Sequence, residues 1–130
     1  MKETKNEEIE RLNYENILWI IFIVGAILNI LGDKLFEEFL LTGSSEKEKM
    51  AREIYNAVTI LSILLYFYFT NRNYKFYLDA KESNENTNLE AIRFIGSVLL
   101  LVGASLILYA QVNSPLRGSP AWWKILLRKK

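Results

Sequence analysis

The stretch FIGSVLLLVGASLILYAQVN, residues 94–113, contains no charged side chain. A membrane-spanning helix needs roughly 20 predominantly apolar residues, and this stretch meets that length without help from its flanks. Two shorter charge-free stretches precede it, residues 17–31 and 54–69, and they reach a spanning length once flanking residues are included. The sequence therefore predicts three membrane-spanning helices, at about 17–35, 54–73 and 92–113.

The charged residues are segregated along the whole chain. All 16 Lys and Arg and all 15 Asp and Glu lie in the four blocks 1–16, 32–53, 70–93 and 114–130. A soluble helical domain distributes its charges along one face of each helix, so a soluble bundle with three buried helices is the weaker alternative. We predict an all-α integral membrane protein in which residues 1–130 form a single membrane domain.

Capping patterns predict where the helices begin. In a capping box a hydroxyl accepts from one free backbone N–H while a Glu three residues later accepts from another. TKNE (4–7), SEKE (45–48) and TNLE (87–90) fit this pattern, and Ser119–Pro120 is typical of a further helix start. The predicted helices are 5–41, 46–82, 88–113 and 120–128. At 1.5 Å per residue the first two are roughly 55 Å long, so they should project beyond a hydrocarbon core of about 30 Å or break at its surface.

The C-terminal segment predicts a membrane-surface helix. Residues 114–130 hold five bases and no acid, and Trp122 and Trp123 share a face opposite Lys124 and Arg128. This pattern favours an interfacial helix on anionic lipids, with an ordinary juxtamembrane anchor as the alternative. Trp19 is a further predicted interface residue.

Membrane topology follows from the basic residues. The two sides carry seven and nine Lys and Arg, which favours a cytoplasmic C-terminus for a multi-pass protein of the cell membrane. The N-terminal block 1–16 has five acids against three bases, unlike a signal peptide, so we expect the first span to be retained.

Polar side chains recur along one face of the second span. At 100° per residue six of them fall within about 120° of one another, and we call them the polar ladder. Lipid cannot hydrogen-bond these groups, so they should face protein or water. They either bond neighbouring helices or line a water-filled path, which would need several copies of the chain. The polar ladder comprises Asn56, Thr59, Ser62, Tyr66, Thr70 and Asn73.

Small residues recur at seven-residue spacing in the other two spans. Small side chains allow helix backbones to approach closely, which matters because lipid provides no hydrophobic drive for helix association. A seven-residue period suits left-handed crossings near +20°. The predicted packing residues are Gly25 and Gly32 in the first span and Gly96, Gly103 and Ala110 in the third.

One cluster of polar residues resembles an ion vestibule. Asn29, Asp33 and Glu37 follow one another at four-residue spacing on one helix face. Carboxylates and an amide at a membrane edge suit a hard cation or a channel mouth. The alternatives are full solvation or local pairing of Asp33 with Lys34 or Arg52.

Residue types narrow the function classes. The chain has no His and no Cys, which removes the commonest general base and any thiolate metal site. We therefore predict no enzyme, no cofactor and no metal. No nucleic-acid partner is predicted either, because the basic tail is short and joined to Trp and Leu. The leading hypothesis is a homo-oligomeric pore, channel or membrane-permeabilising protein. The alternative is an accessory or immunity-type protein that docks another membrane protein through its small-residue helix faces.

Overall fold

A computed structural model describes residues 2–117 of the chain. It contains α1 (Lys5–Thr42), α2 (Ser45–Glu82) and α3 (Asn88–Asn113), and this range has no strand. The all-helical fold with three long helices is confirmed, and each predicted helix end agrees with the observed end to within one residue. The predicted helix at 120–128, with its four interface residues, lies outside the described range.

The first hairpin is set by local backbone chemistry. The predicted capping box of α1 is present, with Glu7 N 3.2 Å from Thr4 Oγ1 and Thr4 N 3.3 Å from Glu7 Oε1. At the other end Gly43 adopts φ +74°, and its N–H donates to Phe39 O at 2.7 Å. This left-handed conformation suits glycine and reverses the chain at once. α1 and α2 are therefore antiparallel neighbours joined by a very short turn.

The other two helix starts differ from the predicted capping boxes. α2 begins one residue earlier than predicted, because Ser44 is its cap and accepts from Lys47 N at 3.4 Å. Thr87 is the N-cap of α3 as predicted, but its side chain makes no capping hydrogen bond, so the predicted capping box is absent. Asn86 Oδ1 instead accepts from Asn88 N at 2.9 Å. A neighbouring amide thus replaces the hydroxyl at the start of α3.

α2 is the central helix of the fold. α1 and α3 each pack against α2, and no Cα atom of α1 lies within 8 Å of one in α3. The buried positions repeat at or near every seventh residue, the period of left-handed helix packing. They include Leu18, Gly25, Gly32 and Phe39 on α1, Ala51, Val58 and Leu65 on α2, and Ser97 and Ala104 on α3.

The largest apolar side chains lie on the outside of this layer. Ile20, Leu64 and Leu99 are each about three-fifths exposed, whereas many of the buried residues are small or polar. Trp19 is also half exposed, with its ring centroid 5.2 Å from that of Phe69. All three helices are long and apolar enough to cross a membrane. An apolar exterior around a small-residue interior is typical of helix packing in lipid, so the fold indicates a membrane protein.

Candidate functional site

Three hydroxyls of the polar ladder are satisfied within α2 itself. Thr59, Ser62 and Thr70 each donate to the carbonyl oxygen four residues earlier, at 2.9, 3.0 and 2.7 Å. This local bonding is a common way for Ser and Thr to satisfy their hydroxyls within a helix. All three side chains are half-buried. Their hydroxyl protons therefore require no water molecule.

Two ladder residues also join α2 to α3. Thr59 Oγ1 also lies 3.0 Å from Gln111 Oε1, near the C-terminal end of α3, so its single proton is shared between this oxygen and the carbonyl of Tyr55. At the other end the buried Asn73 donates through Nδ2 to Ser97 Oγ, and Ser97 donates in turn to Arg93 O at 2.9 Å. Interhelical hydrogen bonds of this kind average about 0.6 kcal/mol in membrane proteins. The ladder thus links α2 to α3 at two points, one near each of its ends.

The middle of the ladder forms the floor of an open groove between α1 and α3. The floor holds Thr59, Ser62 and Tyr66, while Asn29 of α1 and Gly103 of α3 lie at its sides. The cavity volume is about 310 Å³. We call it the α1–α3 groove. Because no Cα atoms of α1 and α3 lie within 8 Å of each other, the middle of the polar face of α2 stays open between them.

The glycines of α1 lie at its contact with α2. A Cβ atom added to Gly25 would sit 3.6 Å from side-chain atoms of Val58 and Leu61, an ordinary van der Waals distance. A Cβ atom added to Gly32 would sit 2.8 Å from Tyr55 Cε1, which is too close without a shift of the ring. Gly32 is therefore the position where α1 and α2 depend most on the absence of a side chain.

The glycines of α3 lie beside its contact with α2. A Cβ atom added to Gly96 or Gly103 would meet no described atom within 4 Å, and Ala110 is exposed. The buried line is Ser97 and Ala104, which is one residue further along and has the same seven-residue spacing. Gly103 instead widens the α1–α3 groove.

The three residues of the predicted vestibule do not come together. Asn29 lines the α1–α3 groove, whereas Asp33 accepts a hydrogen bond from Tyr55 OH. Glu37 is at the surface, 3.5 Å from Lys34 Nζ. Within residues 2–117, no group of three acidic, His or Cys side chains is placed to hold a metal ion. The Asp33–Tyr55 bond is one more link between α1 and α2.

Sequence reasoning missed a charge cluster at the other end of the α1–α2 contact. Glu15 is only 4% exposed, and its carboxylate accepts from Arg72 Nη1 at 2.9 Å and from Arg11 Nη1 at 3.1 Å. Tyr68 OH also donates to Glu15, at 3.2 Å. Burial opposes charging of Arg11, but its hydrogen bonds to Glu15 and Glu3 outweigh that effect and raise its pKa. We call Arg11, Glu15 and Arg72 the charge cluster.

The charge cluster continues into α3 through the polar ladder. Arg72 donates to Asn73 Oδ1 from Nε at 3.2 Å and from Nη2 at 3.0 Å. Its guanidinium also lies over the Phe69 ring, 4.7 Å from the centroid. Since Asn73 bonds Ser97, one hydrogen-bonded chain crosses all three helices. A usable signal was present: Glu15 precedes one charge-free stretch and Arg72 follows the next, so an antiparallel hairpin places them at the same level.

A second cluster ties the end of α3 to the start of α2. Arg52 donates to the carbonyl of Pro115 at 3.0 Å, and the backbone N–H of Arg117 donates to Glu48 at 2.7 Å. Arg52, Glu48 and Arg117 line a pocket of about 200 Å³ together with Asn56. Asn56 Oδ1 is buried there without a partner among the described residues. The first residue of the ladder thus belongs to this pocket and not to the α1–α3 groove.

Comparison with known proteins identifies no family for this arrangement. No family model matches the chain, and the comparisons with curated proteins and with solved structures found no match. Function is therefore inferred from the residues and their geometry.

Proposed function

We propose that the protein is a small integral membrane protein whose function is to dock a helix of another membrane protein in the α1–α3 groove, without catalysis. The observation that carries this proposal is the open groove itself, because its polar floor lies where α1 and α3 fail to meet. Gly103 adds no side chain to the wall, so an incoming backbone can approach closely.

The chemistry of the groove favours a helix over water as its occupant. The Thr59 and Ser62 hydroxyls already donate within α2, so they do not need a water column. Asn29 makes no hydrogen bond with another described residue, and lipid tails offer it no partner. A helix carrying a polar side chain would satisfy this amide, and its apolar residues would pack on Leu99 of the wall.

A homo-oligomeric pore is the second candidate. The observation in its favour is the volume of about 310 Å³ along a face that presents Asn29, Thr59, Ser62 and Tyr66. If several copies turned their grooves toward a common axis, these side chains would line a water-filled path. Several copies are required because α1 and α3 do not close around α2.

Cysteine accessibility separates the two candidates. Single cysteines replace Ser62 or Tyr66 on the groove floor, and Leu64 or Phe67 on the exposed face as matched controls. A pore predicts fast reaction of the floor cysteines with membrane-impermeant thiol reagents, slow reaction of the controls, and a mass of several copies in detergent. Docking predicts floor cysteines no faster than the controls, together with a single-copy mass. Fast floor cysteines in a ring of copies would refute docking.

Crosslinking tests the occupant directly. A photo-crosslinking residue at Leu99 lies on the groove wall, whereas the same residue at Ser105 is exposed on the opposite face of α3. In cell membranes the docking proposal predicts an adduct of one defined mass from Leu99 and none from Ser105. That mass must not be a multiple of the chain's own mass, since such a multiple would identify a second copy as the occupant.

The proposed orientation places the C-terminus in the cytoplasm and the basic tail on anionic lipids. The excess of Lys and Arg on the side of residues 32–53 and 114–130 supports this orientation. A cysteine at Asn84 should then react with impermeant reagents in intact cells. A cysteine at Ser45 should react only after permeabilisation, and the reverse pattern would overturn the assignment.

A further inference from the structure

A second cavity lies between the first turns of α1 and the last turns of α2. Its volume is about 510 Å³, and it shares no lining residue with the α1–α3 groove. Both signs of charge line it, together with two tyrosines and a phenylalanine. We call it the headgroup pocket, and its principal residues are Glu7, Glu10, Tyr14, Tyr68, Asn71, Arg72 and Lys75.

The headgroup pocket lies at the level where the apolar surface ends. The charge-free stretch of α1 begins at residue 17, and that of α2 ends at residue 69. Tyr14 and Tyr68 pack against each other at this boundary, with ring centroids 5.3 Å apart. Paired tyrosines at such a boundary are typical of the membrane–water interface. Lipid headgroups would therefore be at the height of this pocket.

The charges in the pocket differ in their distance from the membrane along the helix axes. The Glu15–Arg72 ion pair fixes the relative level of the two antiparallel helices. Lys75 is then about 4.5 Å further from the membrane, at 1.5 Å per residue. Glu10 and Glu7 are about 7.5 and 12 Å further out on the same scale. Arg11 also lines the pocket, about 6 Å out, and is paired with Glu15 and Glu3. Cations thus line the inner part of the pocket and carboxylates line the outer part.

Two of these charges are available for a ligand. Lys75 and Glu10 make neither an ion pair nor a side-chain hydrogen bond within the described chain. Arg72 uses Nη1 for Glu15 and shares Nε and Nη2 with Asn73, which leaves further N–H protons on both terminal nitrogens. The pocket therefore offers inner donors and an outer acceptor that are not already committed to one another.

We propose that this pocket binds the headgroup of a phospholipid that carries a primary amine, of the phosphatidylethanolamine type. The phosphate accepts from Arg72 and Lys75, and the ammonium group, two carbons further out, donates to Glu10 and Glu7. This inference rests on the membrane insertion proposed above and not on docking in the groove.

The same geometry disfavours the other common headgroups. An anionic glycerol headgroup would place no positive charge against Glu10 and Glu7. A choline headgroup carries a positive charge but has no N–H to donate to a carboxylate. Selectivity for the primary amine is therefore the property that separates this site from a general attraction to lipid.

Lipid competition tests the proposal. The purified full chain, in detergent, is equilibrated with equal amounts of phosphatidylethanolamine, phosphatidylcholine and phosphatidylglycerol, and bound lipid is counted by native mass spectrometry. We expect phosphatidylethanolamine to predominate. Lys75→Gln and Glu10→Gln should each reduce its affinity about tenfold, as expected for one charge-assisted hydrogen bond. Lys34→Gln, at the other end of α1, should leave binding unchanged.

Three other outcomes would reject the headgroup site. Equal binding of the three lipids, preference for phosphatidylglycerol, or unchanged binding in both pocket variants would overturn the headgroup site. Far-UV circular dichroism verifies that each variant is folded before its binding is counted. Alkaline carbonate washing of membranes distinguishes a failure of membrane insertion from a failure of the headgroup site. If the chain washes off, membrane insertion has failed, whereas a chain that stays without lipid preference rejects the headgroup site alone.

Discussion

Replacing Glu15 by Gln tests whether the charge cluster fastens α1 to α2. The change removes one negative charge at nearly constant volume. In the native protein the carboxylate accepts from Arg11, Arg72 and Tyr68. The amide oxygen of Gln can still accept from one of the guanidinium groups. Its NH₂ group, however, is a donor and would face the remaining donors.

The expected loss follows from the burial of the three side chains. A hydrogen bond to a charged group contributes about 1.5–3 kcal/mol, and breaking a fully buried ion pair costs about 3–5 kcal/mol. The Glu15 side chain is 6% exposed, but those of Arg11 and Arg72 are 19% and 25% exposed. Water and the Phe69 ring therefore compensate in part. We expect the free energy of unfolding to fall by about 2–3 kcal/mol.

The assay is equilibrium unfolding of the purified full chain in mixed detergent, followed by circular dichroism. Glu37→Gln is the matched control, because it makes the same substitution on the same helix in a surface pair. The Lys34 and Glu37 side chains are 72% and 59% exposed, so that change should stay within about 0.5 kcal/mol. Arg72→Gln and the double variant complete a cycle that isolates the coupling energy.

Two results would refute this reasoning. The first is a loss of unfolding free energy in Glu15→Gln as small as that in Glu37→Gln. The second is a double variant whose loss equals the sum of the Glu15→Gln and Arg72→Gln losses, so that the coupling energy is zero. In either case the cluster would lie at the helix contact without stabilising it.

Four further substitutions test the packing. Gly32→Leu should abolish monodisperse protein in size-exclusion chromatography, because its Cβ alone would lie 2.8 Å from Tyr55 Cε1. Gly103→Leu should keep the monodisperse profile while reducing crosslinking from the groove wall, since the added atoms extend into open space. Asn73→Leu should lower the free energy of unfolding by about 1–2 kcal/mol, because it removes the link to α3. Thr59→Val should cost less than about 1 kcal/mol in the same assay.

Helix lengths and ends could be predicted from the sequence because they depend on nearby residues. The charge-free stretches set the apolar centres, and the Thr4–Glu7 capping box set the start of α1. The predicted cap of α2 is Ser45 and the observed cap is Ser44, because either of two adjacent serines can act as a cap. The capping box at Thr87 does not form because Thr87 has helical backbone angles, φ −93° and ψ −1°, instead of the extended conformation typical of an N-cap.

The contacts between helices could be predicted only in part. Periodicity showed that α3 presents small residues every seven positions, but Gly96–Gly103 and Ser97–Ala104 share that period. The two lines are offset by one residue, so a rotation of the helix by about 100° exchanges them. Which of the two lines faces α2 therefore depends on tertiary packing. The ladder residues were recognised as one face for the same periodic reason. Their partners, such as Gln111, depend on which helix lies alongside and therefore could not be read from spacing.

The central position of α2 has a consequence for how the chain enters the bilayer. α2 is the least apolar of the three candidate spans, and it contacts both neighbours. Inserted alone, it would expose the two ladder amides, Asn56 and Asn73, to lipid without hydrogen-bond partners from α3. The short turn at Gly43 allows α1 and α2 to enter together as a hairpin, with Glu15 and Arg72 already paired. α3 would then complete the surroundings of Asn73, so we expect biogenesis to proceed by a two-helix insertion followed by lateral addition of the last helix.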